Sequence, residues 1–117
     1  MTILVVEDDP DVRMSVTEAL EAKGYVVRVA ANGAEALAQM EQGPLPAAII
    51  LDLMMPQMSG WRLLEQLEAR PELAEIPVVV ATAMASQSTQ LPEVAGFLKK
   101  PFDLSELYAQ VEKVARR

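Results

Sequence analysis

Four short stretches of the chain carry side chains that could do chemistry. Glu7-Asp8-Asp9 follows the apolar run Ile3-Leu4-Val5-Val6, and Asp52 closes the run Ile49-Ile50-Leu51. Thr82 stands just past Val78–Ala81, and Lys100 comes immediately before Pro101. Carboxylates gathered at one point repel one another unless a cation sits among them. An all-oxygen donor set suits Mg2+, which binds a few carboxylates and keeps waters in its remaining positions. A hydroxyl and an ammonium opposite the metal complete an anion site. Lysine and metal together can neutralise phosphoryl oxygens while an aspartate oxygen attacks in line. The chain has no cysteine and no histidine. That excludes disulfides, thiolate and imidazole metal sites, a Ser-His-Asp triad and a phosphohistidine intermediate on this chain.

These residues can act together only if the fold brings them to one place. Short β-type runs alternate with amphipathic helical runs, which argues for α/β with a mainly parallel sheet. The expected strands are Thr2–Val6, Tyr25–Ala30, Ala47–Asp52, Pro77–Ala81 and Ala95–Leu98. Several are apolar throughout, as strands covered by helices on both faces must be. Asp9 reads as the cap of a first helix with Pro10 at its first position, and Gly24 ends it. Val12, Val16, Ala19 and Leu20 form its inward stripe. A second helix is expected over about Ala34 to Glu41. Ser59 should cap a third, with Trp61, Leu64 and Leu67 inward. Asp103 and Glu106 form a capping-box pair for a last helix that should bury Leu104, Leu107, Tyr108, Val111 and Val114. Ala83–Val94 is polar, contains Pro92 and lacks an apolar stripe, so a poor helical turn or a loop is expected there. It should be the low-stability part of the domain, open to ordering by small changes in charge at an adjoining site. Met54, Met55 and Met58 read as packing and loop filling.

The expected topology is a doubly wound five-stranded parallel sheet in the order 2-1-3-4-5. In that order the carboxyl ends of strands one, three, four and five are neighbours, and Glu7, Asp8, Asp52, Thr82 and Lys100 converge on one pocket. The 117 residues make one domain. A formal charge of −7 disfavours direct contact with nucleic acid. No apolar run approaches the ~20 residues of a membrane span. The first strand begins too near Met1 to leave room for a signal peptide, so a cytoplasmic chain is expected. Its last residues directly follow the last helix, so no output domain is expected in it.

Ile3-Leu4-Val5-Val6-Glu7-Asp8-Asp9-Pro10 resembles the opening of bacterial response regulator receiver domains. Leu51-Asp52-Leu53-Met54-Met55-Pro56-Gln57-Met58-Ser59-Gly60 resembles that family's phosphorylation loop. Val80-Ala81-Thr82-Ala83 and Gly96-Phe97-Leu98-Lys99-Lys100-Pro101-Phe102 resemble its two remaining motifs. The resemblance implies a flavodoxin-like, CheY-like fold with Asp52 as phosphoacceptor. It implies Asp8 as a direct Mg2+ ligand, Glu7 as a ligand through water and the backbone carbonyl of Met54 as a third. Thr82 would hydrogen-bond the phosphoryl group, Lys100 would pair with it through a cis Lys100–Pro101 bond, and Phe97 would be the aromatic switch residue. The implied partners are a sensor histidine kinase or histidine phosphotransfer protein and a downstream protein target.

Two departures stand out. Thr82 and Lys100 lie 18 positions apart (100 − 82), roughly one helical turn short of the family's gap. The shortening falls in Ala83–Val94 and implies a degenerate fourth helix. Met54 and Met84, at positions that tune dephosphorylation in the family, are both apolar. Two other readings compete: a phosphorylation-independent interaction domain that kept the fold, and a small aspartyl-phosphate phosphatase. The second needs an Asp two residues after the nucleophile, where this chain has Met54.

Overall fold

The computed structural model describes residues 1–53, 59–83 and 94–115. Its strands are β1 (Thr2–Val6), β2 (Val26–Ala30), β3 (Ala48–Asp52), β4 (Val78–Thr82) and β5 (Gly96–Lys99). They form one parallel sheet in the order β2-β1-β3-β4-β5, as expected. The helices are α1 (Pro10–Ala22), α2 (Gly33–Gln42), α3 (Gly60–Glu68), the single turn α4 (Pro71–Ala74) and α5 (Leu104–Ala115).

Local chemistry sets the helix ends. Asp9 Oδ1 accepts from the N–H groups of Asp11 (2.9 Å) and Val12 (3.3 Å). Gly24, at φ 91°, closes α1 in a conformation that favours glycine. There the Gly24 and Tyr25 N–H groups return to the carbonyls of Glu21 and Leu20, a Schellman closure. Ser59 caps α3 through the Arg62 N–H. The Asp103–Glu106 box is reciprocal: Glu106 N–H donates to Asp103 Oδ1 (2.9 Å) and Asp103 N–H to Glu106 Oε1 (3.5 Å).

Period-two alternation along the strands divides the core in two. Leu4, Val6, Ile49, Leu51, Val78 and Val80 face α2, α3 and α4. Ile3, Val5, Ala48, Ile50, Val79 and Ala81 face α1 and α5. β3 and β4 are buried along their whole length, whereas the edge strand β2 is half exposed.

Three details depart from the expectation. Leu104 is 54% exposed rather than buried, because it occupies the first position of α5, before the inward stripe of Leu107, Val111 and Val114. Trp61 is half-buried, and the deep positions of α3 are Leu63, Leu64 and Leu67. The turn α4 was not anticipated; Pro71 supplies the fixed φ of a helix start and Leu73 is its buried anchor. The expected degenerate helix in Ala83–Val94 falls almost wholly outside the described residues.

Candidate functional site

The register brings the strand ends level. Val6 of β1 pairs with Leu51 of β3, so Glu7, the next residue, reaches the height of Asp52. Asp52 pairs with Ala81 of β4, and Thr82 pairs with Lys99 of β5. Lys100 N–H then donates to the Thr82 carbonyl (2.8 Å), which carries β5 one residue further toward the rim. The Lys100–Pro101 peptide is cis, as expected.

At that rim Glu7, Asp52 and Thr82 are buried polar residues at the edge of a hydrocarbon core. Carboxylate oxygens of Glu7, Asp8 and Asp52 lie within 4.8 Å of one another. Lys100 Nζ stands 2.5 Å from Glu7 Oε1 and 3.4 Å from Asp52 Oδ2. Burial pushes the Glu7 carboxyl up to about 7, and the nearby Asp52 adds to the rise while Lys100 opposes it. Burial alone would lower the Lys100 ammonium, but its hydrogen bond to Glu7 and the charge of Asp52 outweigh that and raise it. The two shifts have different origins: Glu7 is raised chiefly by its burial, Lys100 by its acidic neighbours.

The oxygen-only, compact donor set fits a small hard cation such as Mg2+, for which Glu7, Asp8 and Asp52 would be the protein ligands. The Met54 carbonyl, offered by resemblance as a further ligand, lies outside the described residues, as does Met84. Asp9 belongs to the α1 cap, although its N–H donates to Glu7 Oε2 (3.3 Å).

Alternation separates the polar residues by face. Asp52 continues the Ala48, Ile50 side of β3, toward α1 and α5, and Glu7 and Lys100 continue the same side from β1 and β5. Thr82 continues the Val78, Val80 side of β4. Phe97 pairs with Val80 and packs on that same side, so Thr82 and Phe97 share a face. An apolar cleft of about 440 Å³ opens beside Lys100 on the other side, between Val12, Val16, Phe102, Leu104 and Leu107.

Two residues of the rim escaped the reading of the sequence. A Cβ at Gly60 would sit 2.5 Å from the Asp52 carbonyl oxygen and 2.6 Å from Leu53 Cα, so only glycine lets α3 start against the Asp52 backbone. A glycine inside a helix, right after its Ser cap, costs about 1 kcal/mol against alanine and was the signal to notice. Arg13 donates from Nη1 to the Glu7 carbonyl (2.9 Å); nothing in its spacing announced that.

A family model described as the response regulator receiver domain matches residues 3–112. The response regulator MprA of Mycobacterium avium is 40% identical over 121 residues, covering 100% of this chain and 52% of that protein. The chain thus spans about half the length of the curated relatives it matches. Among solved structures, the response regulator TrrA of Thermotoga maritima, in complex with Mg(2+)-BeF, aligns with TM-score 0.86 and 30% identity over 97% of each chain. The signal receiver domain of a signal transduction histidine kinase from Syntrophus aciditrophicus aligns with TM-score 0.91 and 29% identity. That alignment covers 98% of this chain and 89% of the other.

Proposed function

The chain belongs to the response regulator receiver domain family, and from that premise we propose that it is a phosphoacceptor switch which takes a phosphoryl group onto Asp52. The observation that carries the proposal is the cluster itself: Asp52 and Glu7 buried side by side, Asp8 beside them, and Lys100 reaching both buried carboxylates.

The donor is a phosphohistidine on a sensor kinase or a histidine phosphotransfer protein, met in the cytoplasm. An Asp52 carboxylate oxygen attacks phosphorus in line. The new O–P bond forms as the P–N bond breaks, and the electron pair of that bond returns to the imidazole nitrogen. Bound Mg2+ supplies charge neutralisation for the phosphoryl oxygens. The chain's own residues do the rest. Glu7, Asp8 and Asp52 hold the cation. Lys100, on its cis-proline segment, offers an ammonium to the same oxygens, and Thr82 offers a hydroxyl from the adjoining strand. Such a site works by positioning and charge rather than by general acid or base.

The shared face of Thr82 and Phe97 supports the second half of the proposal. A Thr82 drawn toward the phosphoryl group changes the packing of an aromatic two positions away on the neighbouring strand, and a downstream protein reads the altered surface. Incubation with acetyl phosphate and Mg2+, followed by intact mass, tests the reading. One phosphoryl adduct, lost in alkali and dependent on Mg2+, is expected. An unmodified mass under conditions that leave the fold intact would assign the chain to phosphorylation-independent binding instead.

A further inference from the structure

The Glu7 carbonyl and the Asp8 N–H belong to one peptide plane, and a peptide plane turns as a unit. Its orientation fixes ψ of Glu7 and φ of Asp8, and so sets where both carboxylates are aimed. The plane is held from outside β1. Arg13, six residues on and in the first turns of α1, donates from Nη1 to the Glu7 carbonyl at 2.9 Å. The donor is charged, so this is one of the stronger kinds of hydrogen bond a backbone carbonyl can accept. Asp9 ties the same segment from the other side: its carboxylate caps α1 while its N–H donates to Glu7 Oε2. The acidic turn is therefore bolted to α1 at two points.

We propose that Arg13 is a positioning residue for the cation site, acting through the Glu7–Asp8 peptide to aim the two carboxylates. The inference rests on the reading of Glu7, Asp8 and Asp52 as ligands and assigns a role to a residue outside that set. Partners of metal ligands generally matter in this way, their removal weakening metal binding by about 10- to 100-fold. The charge of Arg13 by itself predicts the opposite sign. Removing a cation from beside the cluster would leave the site more negative and tighten Mg2+ binding. The sign of the change therefore separates positioning from electrostatics.

The experiment is calorimetric titration of Mg2+ into the whole chain and into Arg13→Met, which keeps the aliphatic stem and loses the donors. Arg13→Gln, whose amide is too short to span to the carbonyl, is the second variant should Arg13→Met not fold. The expected result is Mg2+ binding weaker by roughly tenfold, with the urea midpoint measured in EDTA close to that of the wild type. Binding that is unchanged within twofold, or tighter, overturns the positioning role and leaves the cation site standing. A wild type that takes up no Mg2+ overturns the cation site and this inference with it.

Discussion

The side of the sheet toward α1 and α5 buries Ile3, Val5, Ile50, Val79 and Ala81, and the side toward α2 and α3 buries Leu4, Val6, Ile49, Leu51 and Val80. Along the strands the two sides are packed alike. They differ at the rim, where the first ends in Glu7, Asp52 and Lys100 and the second in Thr82 with Phe97 beside it. Two buried carboxylates and their ammonium partner are thus gathered on one side, and a buried hydroxyl with a half-buried aromatic ring on the other, where the exposed Lys99 pairs with Thr82. The difference teaches that, on the function proposed above, phosphoryl chemistry and its readout need not compete for space. One turn of the strand pleat separates them, and a strand-end hydroxyl links them.

The sharpest attempt to break this comparison is Asp52→Asn, which keeps shape and removes the proposed nucleophile. It should abolish phosphoryl incorporation from acetyl phosphate by intact mass while the circular dichroism spectrum stays native. An adduct of wild-type stoichiometry would move the nucleophile elsewhere. The claim that both sides are packed alike is tested by Ile50→Ala and Leu51→Ala, adjacent residues facing opposite ways. Each should cost about 2–5 kcal/mol in urea unfolding, and a cost under about 1 kcal/mol for either would show one core to be loose.

Charge should separate the two sides by pH. The folded-state pKa of Glu7, about 7, lies above its ordinary value of 4.5. Its contribution to stability is therefore complete below pH 4.5 and is lost as pH rises through 7. In EDTA the wild type should lose on the order of 3 kcal/mol over that window relative to Glu7→Gln. Parallel pH profiles for the two proteins would contradict a buried Glu7 charge. The smallest effect belongs to the Thr82 side. Thr82→Val should cost about 1–2 kcal/mol, as loss of a buried hydroxyl does. It should leave the Mg2+-induced rise in melting temperature unchanged, whereas Asp8→Ala should erase that rise. A Mg2+ response reduced equally in both variants would merge the two sectors into one.

Much of this was legible in the chain because it is local. Apolar runs such as Ile3–Val6 and Val78–Ala81 declare strands buried on both faces, and Asp9, Ser59 and Asp103 declare helix starts through hydrogen bonds to residues two or three positions on. The candidate site residues were legible for the same reason, each being the polar punctuation at the end of an apolar run. Leu104 misled because hydrophobicity alone does not say where along a helix the inward stripe begins, and that depends on how α5 approaches the sheet.

What the tertiary structure decided is how residues far apart in sequence meet. Lys100 touches Glu7 across 93 positions because β1, β3, β4 and β5 align in parallel with their ends level. The separation of the Glu7, Asp52 and Lys100 cluster from Thr82 and Phe97 follows from strand pairing and pleat, which act between strands. Gly60 against the Asp52 carbonyl and Arg13 on the Glu7 carbonyl belong to the same class. A close approach and a bond to a backbone oxygen leave no mark on composition or periodicity, since the partner is main chain that every residue carries, and only the packed fold selects which one is reached.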